Sequence, residues 1–136
     1  MKAVLDTNVL ISAVISTGTS HEVLVEGFEG SYTVIVSPET IQEFEDTLLK
    51  YPDKFGMSQE EVKKERDTVE YFAEFVTPET EIDVVEEDGS DNMFLEAAVS
   101  ADVEYVVSGD PHLLEINEYR GIEILPPDEF LERLDV

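Results

Sequence analysis

The chain has 136 residues, 42% of them hydrophobic, with 33 Asp plus Glu against 8 Lys plus Arg and a formal net charge of −25. That length and apolar content suit one globular domain around a single core and exclude a disordered chain. The absence of Cys excludes a disulfide framework and a thiolate metal site. With no charged-then-apolar leader and no long apolar run, the expectation is a cytoplasmic protein without a membrane span.

Lys2 to Asp6 is a short apolar run of the kind that forms a buried strand. Val9, Leu10, Ala13 and Val14 follow at helical spacing, and Gly18 with Thr19 closes that helix. A second helical stretch runs from Ser20 to Phe28, with Val23, Leu24 and Phe28 on one face and Gly30 as its break. Thr33 to Val36 is a β-branched strand, and Ser37-Pro38 reads as an N-cap and first helical residue. The helix that follows reaches Lys50 on a stripe of Ile41, Phe44 and Leu48, and Tyr51-Pro-Asp ends it.

Ser58-Gln-Glu-Glu has the form of a capping box and predicts a helix to Phe75, with Val62, Val69, Phe72 and Phe75 as sparse apolar positions. Ile82 to Val85 is predicted as a strand or extended segment. Ser90 is the expected cap of a small-residue helix through Ala101, with Phe94, Ala97, Ala98 and Ala101 inward. Tyr105 to Ser108 reads as a strand, Pro111 to Ile116 as a short helix and Ile122 to Leu125 as the last strand. Pro126-Pro127 opens a closing helix with Phe130, Leu131 and Leu134. The alternation predicts a three-layer α/β/α fold with a mostly parallel central sheet and one domain over 1–136.

Two apolar strands end in acids: Asp6 closes the first, and Asp110 follows the one that ends at Ser108. In a parallel sheet such positions fall at the carboxyl ends of strands, where ligands bind. Each acid also has a local explanation. Asp110 before Pro111 and Asp6 before Thr7-Asn8 make helix caps, Asp91 suits a helix's first turn, and Asp88 is one more solvated acid. Together they imply more. Several carboxylates brought close would repel one another and raise their pKa values. No basic residue lies near them in sequence, so a bound Mg²⁺ or Mn²⁺ is the natural counter-charge.

The acidity is spread along the whole chain, a pattern that suits a protein kept soluble in concentrated salt and predicts a halophilic source. It does not exclude RNA. At ~1 M salt the Debye length is only ~3 Å, and bound divalent cations reverse the local sign.

The segments Val4-Leu-Asp6-Thr-Asn8-Val-Leu, Ser37-Pro-Glu-Thr-Ile-Gln-Glu43-Phe, Asp88-Gly-Ser-Asp91-Asn92 and Val107-Ser-Gly-Asp110-Pro-His resemble, in order, the motifs of PIN-domain nucleases. The likeness is greater to the VapC-like branch described as toxins of toxin–antitoxin systems. It implies a PIN-like fold and an endoribonuclease that holds Mg²⁺ or Mn²⁺ on Asp6, Glu43, Asp91 and Asp110. Asp88 would be a secondary acid acting through water, with Asn8 and Ser108 in support. It also implies an RNA substrate, an antitoxin protein as partner, and a homodimer.

Helical geometry by itself leaves Glu39, Glu45 and Asp46 as open as Glu43; the resemblance selects Glu43. His112 stands where many relatives carry another Asp, which leaves a second metal position open. His21 receives no role, and Lys63, Lys64 and Arg66 form a basic cluster read as a solvated face. A housekeeping RNA-processing nuclease would use the same acids, and a non-catalytic RNA- or partner-binding domain could use them for a structural metal. A phosphatase with an aspartate nucleophile would want an acid where Asn8 stands.

Overall fold

The computed structural model describes residues 1–82 and 91–134. Its strands are β1 (Lys2–Leu5), β2 (Thr33–Val36), β3 (Glu74–Phe75), β4 (Tyr105–Val107), β5 (Glu118–Tyr119) and β6 (Ile122–Leu125). Its helices are α1 (Thr7–Ile15), α2 (Thr19–Phe28), α3 (Pro38–Lys50), α4 (Pro52–Phe55), α5 (Gln59–Phe72), α6 (Asn92–Ala101), α7 (Pro111–Ile116) and α8 (Pro127–Leu134). The strands form one sheet in the order β3-β2-β1-β4-β6-β5, parallel except for the β5–β6 hairpin.

The period of two along each strand splits the core. Ala3, Leu5, Val34, Val36 and Val107 face a cluster built with Leu10, Val23, Phe44, Leu48, Val62 and Phe130. Their neighbours Val4, Ile35, Val106 and Ile124 face the opposite way, onto Phe94, Leu95, Ala97, Ala98 and Leu113. Helices α1, α2, α3, α5 and α8 therefore cover one face, and α6 and α7 the other. This is the predicted α/β/α sandwich. Strands buried on both faces need continuous apolar runs, which is why β1 and β2 read so clearly.

Local chemistry sets several boundaries. Ser37 caps α3 reciprocally with Thr40, and Ser58 caps α5 reciprocally with Glu61. Gly121, at φ 84°, follows Arg120 at φ 50° in the turn between β5 and β6. A two-residue hairpin loop needs that left-handed backbone.

Several details differ from the sequence reading. Helix α5 stops at Phe72, and Glu74–Phe75 instead pairs with Ile35 and Val36 as an edge strand. Phe75 keeps the helical spacing of Val69 and Phe72, but an open sheet edge takes its backbone, and its ring is 47% exposed. Phe28, expected on the buried face of α2, is exposed and meets Phe72 edge-on at 5.6 Å between ring centres. The break at Tyr51 is followed by the short α4, and the strand before Ser108 ends one residue early, at Val107. The predicted segment from Ile82 to Val85 falls outside the described residues beyond Ile82, which is buried and outside any strand. The Ser90 cap falls outside them too.

Candidate metal centre

The site begins with strand order. β1 and β4 lie side by side with Leu5 opposite Val107, so the next residues, Asp6 and Ser108, leave the sheet together. The Asp6 backbone N–H donates to the Val107 carbonyl at 3.0 Å, and the Ser108 N–H donates to Leu125 at 3.1 Å. Asp6 is only 3% exposed. One of its oxygens, Oδ1, accepts from the Val9 N–H at 2.8 Å and so caps α1, while Oδ2 accepts from the Ser108 hydroxyl. Ser108 Oγ in turn accepts from the Asp110 N–H at 2.9 Å. Asp110 caps α7 by accepting from the His112 N–H at 2.7 Å.

This chain of bonds carries electrostatic consequences. Burial, foremost, pushes the Asp6 carboxyl above its ordinary pKa. The Ser108 hydroxyl and the Val9 and Gly109 N–H groups pull it back, and the nearby Asp110 charge raises it further. The net direction is upward, so the ionised form of Asp6 is held at a cost.

The two further acids arrive from opposite faces of the sheet. Asp91 lies one residue before α6 and is buried, but it accepts no capping hydrogen bond from that helix. Glu43, half-buried on α3, reaches the same cleft as Asp6, Asp91 and Asp110, about 210 Å³ in volume, with Thr7, Asn8, Thr47 and Phe94 in its walls. The acids that rivalled Glu43 go elsewhere. Glu39 and Asp46 are exposed, Asp46 accepts from Gln42 at 2.9 Å, and Glu45 pairs with Arg66.

Other residues singled out from the sequence fall as follows. Asn8 is exposed at the cleft, Ser108 is fully buried behind it, and His112 is exposed on α7. Asp88 lies outside the described residues. His21 sits away from the cleft, with Nδ1 2.9 Å from the Ala13 carbonyl. Of the basic cluster, Arg66 bridges Glu45 and Glu70, and Lys63 pairs with Asp67 at 2.9 Å. Thr7 is a cleft residue that the sequence reading passed over. Its only signal there was a hydroxyl at the head of an apolar helix.

The donor set is oxygen throughout, which suits a hard divalent cation and not a thiophilic one. The four carboxylates line one cleft, and among the described residues no three acids or histidines converge into a ready cation cage. A buried hydroxyl, Thr7 Oγ1, also has no hydrogen-bond partner among the described residues. Asp6, Glu43, Asp91 and Asp110 are the residues that could hold Mg²⁺ or Mn²⁺ here, and the cleft fits one in charge and in ligand chemistry.

Known proteins share this fold. The family model described as PIN domain matches residues 2–112. No curated protein sequence matches the chain. Among solved structures, a chain of VapBC2 from Rickettsia felis, bound to a DNA fragment from their promoter, superposes with a TM-score of 0.64 at 12% identity. That match covers 91% of this chain and 97% of the other. PAE2754 from Pyrobaculum aerophilum gives a TM-score of 0.64 at 14% identity, covering 99% of this chain and 90% of the other. At such identities the likeness is one of fold.

Proposed function

This chain belongs to the PIN domain family, a family of nucleases, and from that premise we propose that it is a metal-dependent endoribonuclease hydrolysing RNA phosphodiester bonds. The observation that carries the reading is that Asp6, Glu43, Asp91 and Asp110, from four separate elements, line one cleft at the carboxyl ends of β1 and β4. Mg²⁺ or Mn²⁺, when bound, supplies charge to polarise the scissile phosphate and lowers the pKa of the attacking water.

The chain's own residues do the rest. Asp6 is oriented on both oxygens, by Val9 and by Ser108, and in that fixed orientation it would help to hold the cation. Asp91 and Glu43 bring negative charge from α6 and α3, on the two sides of the sheet. Asp110 is partly exposed, accepts from the His112 N–H, and adds the carboxylate that follows β4. Asn8, exposed beside Asp6, is placed to meet a phosphate oxygen. Asp88 would act through water. Hydrolysis in this family's manner leaves a 5′-phosphate and a 3′-hydroxyl.

The biological role proposed is that of the toxin of a toxin–antitoxin pair, in the cytoplasm. It would be held by a cognate antitoxin protein and assembled as a homodimer. Its support is the shared fold with a VapBC2 chain and the motif likeness to the toxin branch. None of the described helices is long and apolar enough to cross a membrane.

The test is cleavage of total RNA in molar KCl with Mn²⁺, with EDTA, and with the Asp6→Asn variant. Loss of cleavage in the last two is expected; an Asp6→Asn protein as active as the wild type would falsify the assignment. Expression of the chain alone should halt growth, and co-expression of its cognate antitoxin should restore it. Growth untouched by a protein that cleaves RNA in vitro would point instead to a housekeeping processing nuclease.

A further inference from the structure

Thr7 opens α1 directly after Asp6, is 6% exposed and lines the acidic cleft. Its Oγ1 is buried and has no hydrogen-bond partner among the described residues. Position explains this. A threonine inside a helix can turn its hydroxyl onto a carbonyl three or four residues back. For the first residue of α1 those carbonyls belong to Val4 and Ala3, inside the ladder that β1 shares with β2 and β4. The hydroxyl is left in a low-dielectric setting where an unmet donor is costly.

The same position opens the helix end. The N–H groups of Thr7 and Asn8 have no acceptor within α1, while the Asp6 carboxylate takes that of Val9. Helix α1 spans nine residues and presents the positive end of its dipole to the cleft. One wall therefore offers donors, and the wall of Glu43, Asp91 and Asp110 offers only acceptors. A phosphate group is acceptor-only on its non-bridging oxygens. It can rest on the donor wall directly and on the acidic wall only through a cation.

We propose that the Thr7 hydroxyl is a phosphate-binding group of this site, donating to a non-bridging oxygen of the phosphate that enters the cleft. The inference rests on the nuclease reading and deepens it by assigning the substrate's phosphate to the α1 wall. The bond forms when substrate arrives: Thr7 Oγ1 swings between staggered wells about χ1, and such contacts tighten only in the loaded site.

The experiment compares the full chain with Thr7→Val, which keeps the shape and removes the donor, and Thr7→Ser, which keeps the donor. Binding of adenosine 5′-monophosphate to the Mn²⁺-saturated protein is measured by calorimetry, beside binding of Mn²⁺ alone and the melting temperature in EDTA. Thr7→Val should weaken the nucleotide about tenfold, the loss expected for one hydrogen bond to a charged group. Thr7→Ser should restore it, and Mn²⁺ affinity should stay within about twofold. The metal-free melting temperature of Thr7→Val should equal or exceed that of the wild type, because no folded-state bond is lost.

Unchanged nucleotide affinity in Thr7→Val overturns the proposal, as does a wild type that binds no nucleotide. So does an equal loss of Mn²⁺ affinity, which would place the hydroxyl on the cation. Should the nucleotide bind in a Thr7-dependent way to a protein that cleaves no RNA, the nuclease reading falls and the phosphate site stands.

Discussion

Ser108 and Asp6 are 102 residues apart in sequence, and the Ser108 hydroxyl donates to Asp6 Oδ2 within a fully buried contact. The same hydroxyl oxygen accepts from the Asp110 N–H. One small side chain thus joins the acid after β1 to the acid after β4. Replacing it with alanine removes both bonds and leaves a buried carboxylate with one partner fewer. Ser108→Ala should cost about 1–3 kcal/mol in stability, measurable by urea unfolding. It should also lower kcat about tenfold through misplacement of Asp6, and a variant with wild-type kcat would remove Ser108 from the site.

Asp6 itself is predicted to be a stability liability without its cation. Its folded-state pKa lies above the ordinary 3.8 because burial dominates. From 3.8 up to that higher value the folded protein binds more protons than the unfolded one, so this contribution to stability is present below 3.8 and is lost as pH rises. Asp6→Asn keeps the cap, since the amide oxygen can still accept from Val9. In EDTA the variant should melt above the wild type at pH 7, with the gap closing towards pH 3. Equal melting curves across that range would mean the carboxyl is not held at a cost.

Addition of Mn²⁺ should reverse that order. A cation that binds only the folded wild type at 100 times its Kd adds about 2.7 kcal/mol. The wild type should gain in melting temperature and Asp6→Asn should gain little. An equal gain in both would place the ion elsewhere.

Gly27 is a packing site inside α2. A Cβ there would stand 2.6 Å from Val34 Cγ2 and 3.2 Å from the Tyr32 ring and its hydroxyl. Tyr32 is fixed in turn by donating to the Val23 carbonyl at 2.7 Å. Helix propensity favours alanine by about 1 kcal/mol, but overpacking costs about 1–3 kcal/mol. Gly27→Ala should therefore destabilise the protein, and a higher urea midpoint would show that Val34 yields without strain.

The net charge of −25 should make the fold salt-dependent. Raising salt to ~1 M shortens the Debye length to ~3 Å and quenches self-repulsion between most surface acids. Circular dichroism should show the fold lost in dilute buffer and regained in molar KCl. A melting temperature independent of KCl would count against a halophilic origin.

Much of the architecture was legible in the residues. Ser37-Pro38 marks the start of α3, and its stripe of Ile41, Phe44 and Leu48 is fully buried. The boundary errors came where a local pattern met a distant partner. Phe75 continues a helical spacing, yet Ile35 and Val36 capture that backbone as an edge strand. The Glu118–Tyr119 strand was missed because it exists only as the partner of Tyr119's opposite, Ile122, and of Glu123.

The site divides in the same way. Asp6 and Asp110 stand out in the sequence as candidates because Asp6 ends an apolar run, Asp110 follows another, and each caps the helix after it, a matter of neighbouring residues alone. Their meeting was not, since it depends on β1 lying beside β4 after an excursion of about 100 residues. Strand order of that kind is set by which faces pack and which loops close, and no local period encodes it. Glu43 shows the limit most clearly: four acids on α3 are equivalent by sequence, and only the packing of α3 against α5 and the sheet sends Glu45 to Arg66 and Glu43 to the cleft.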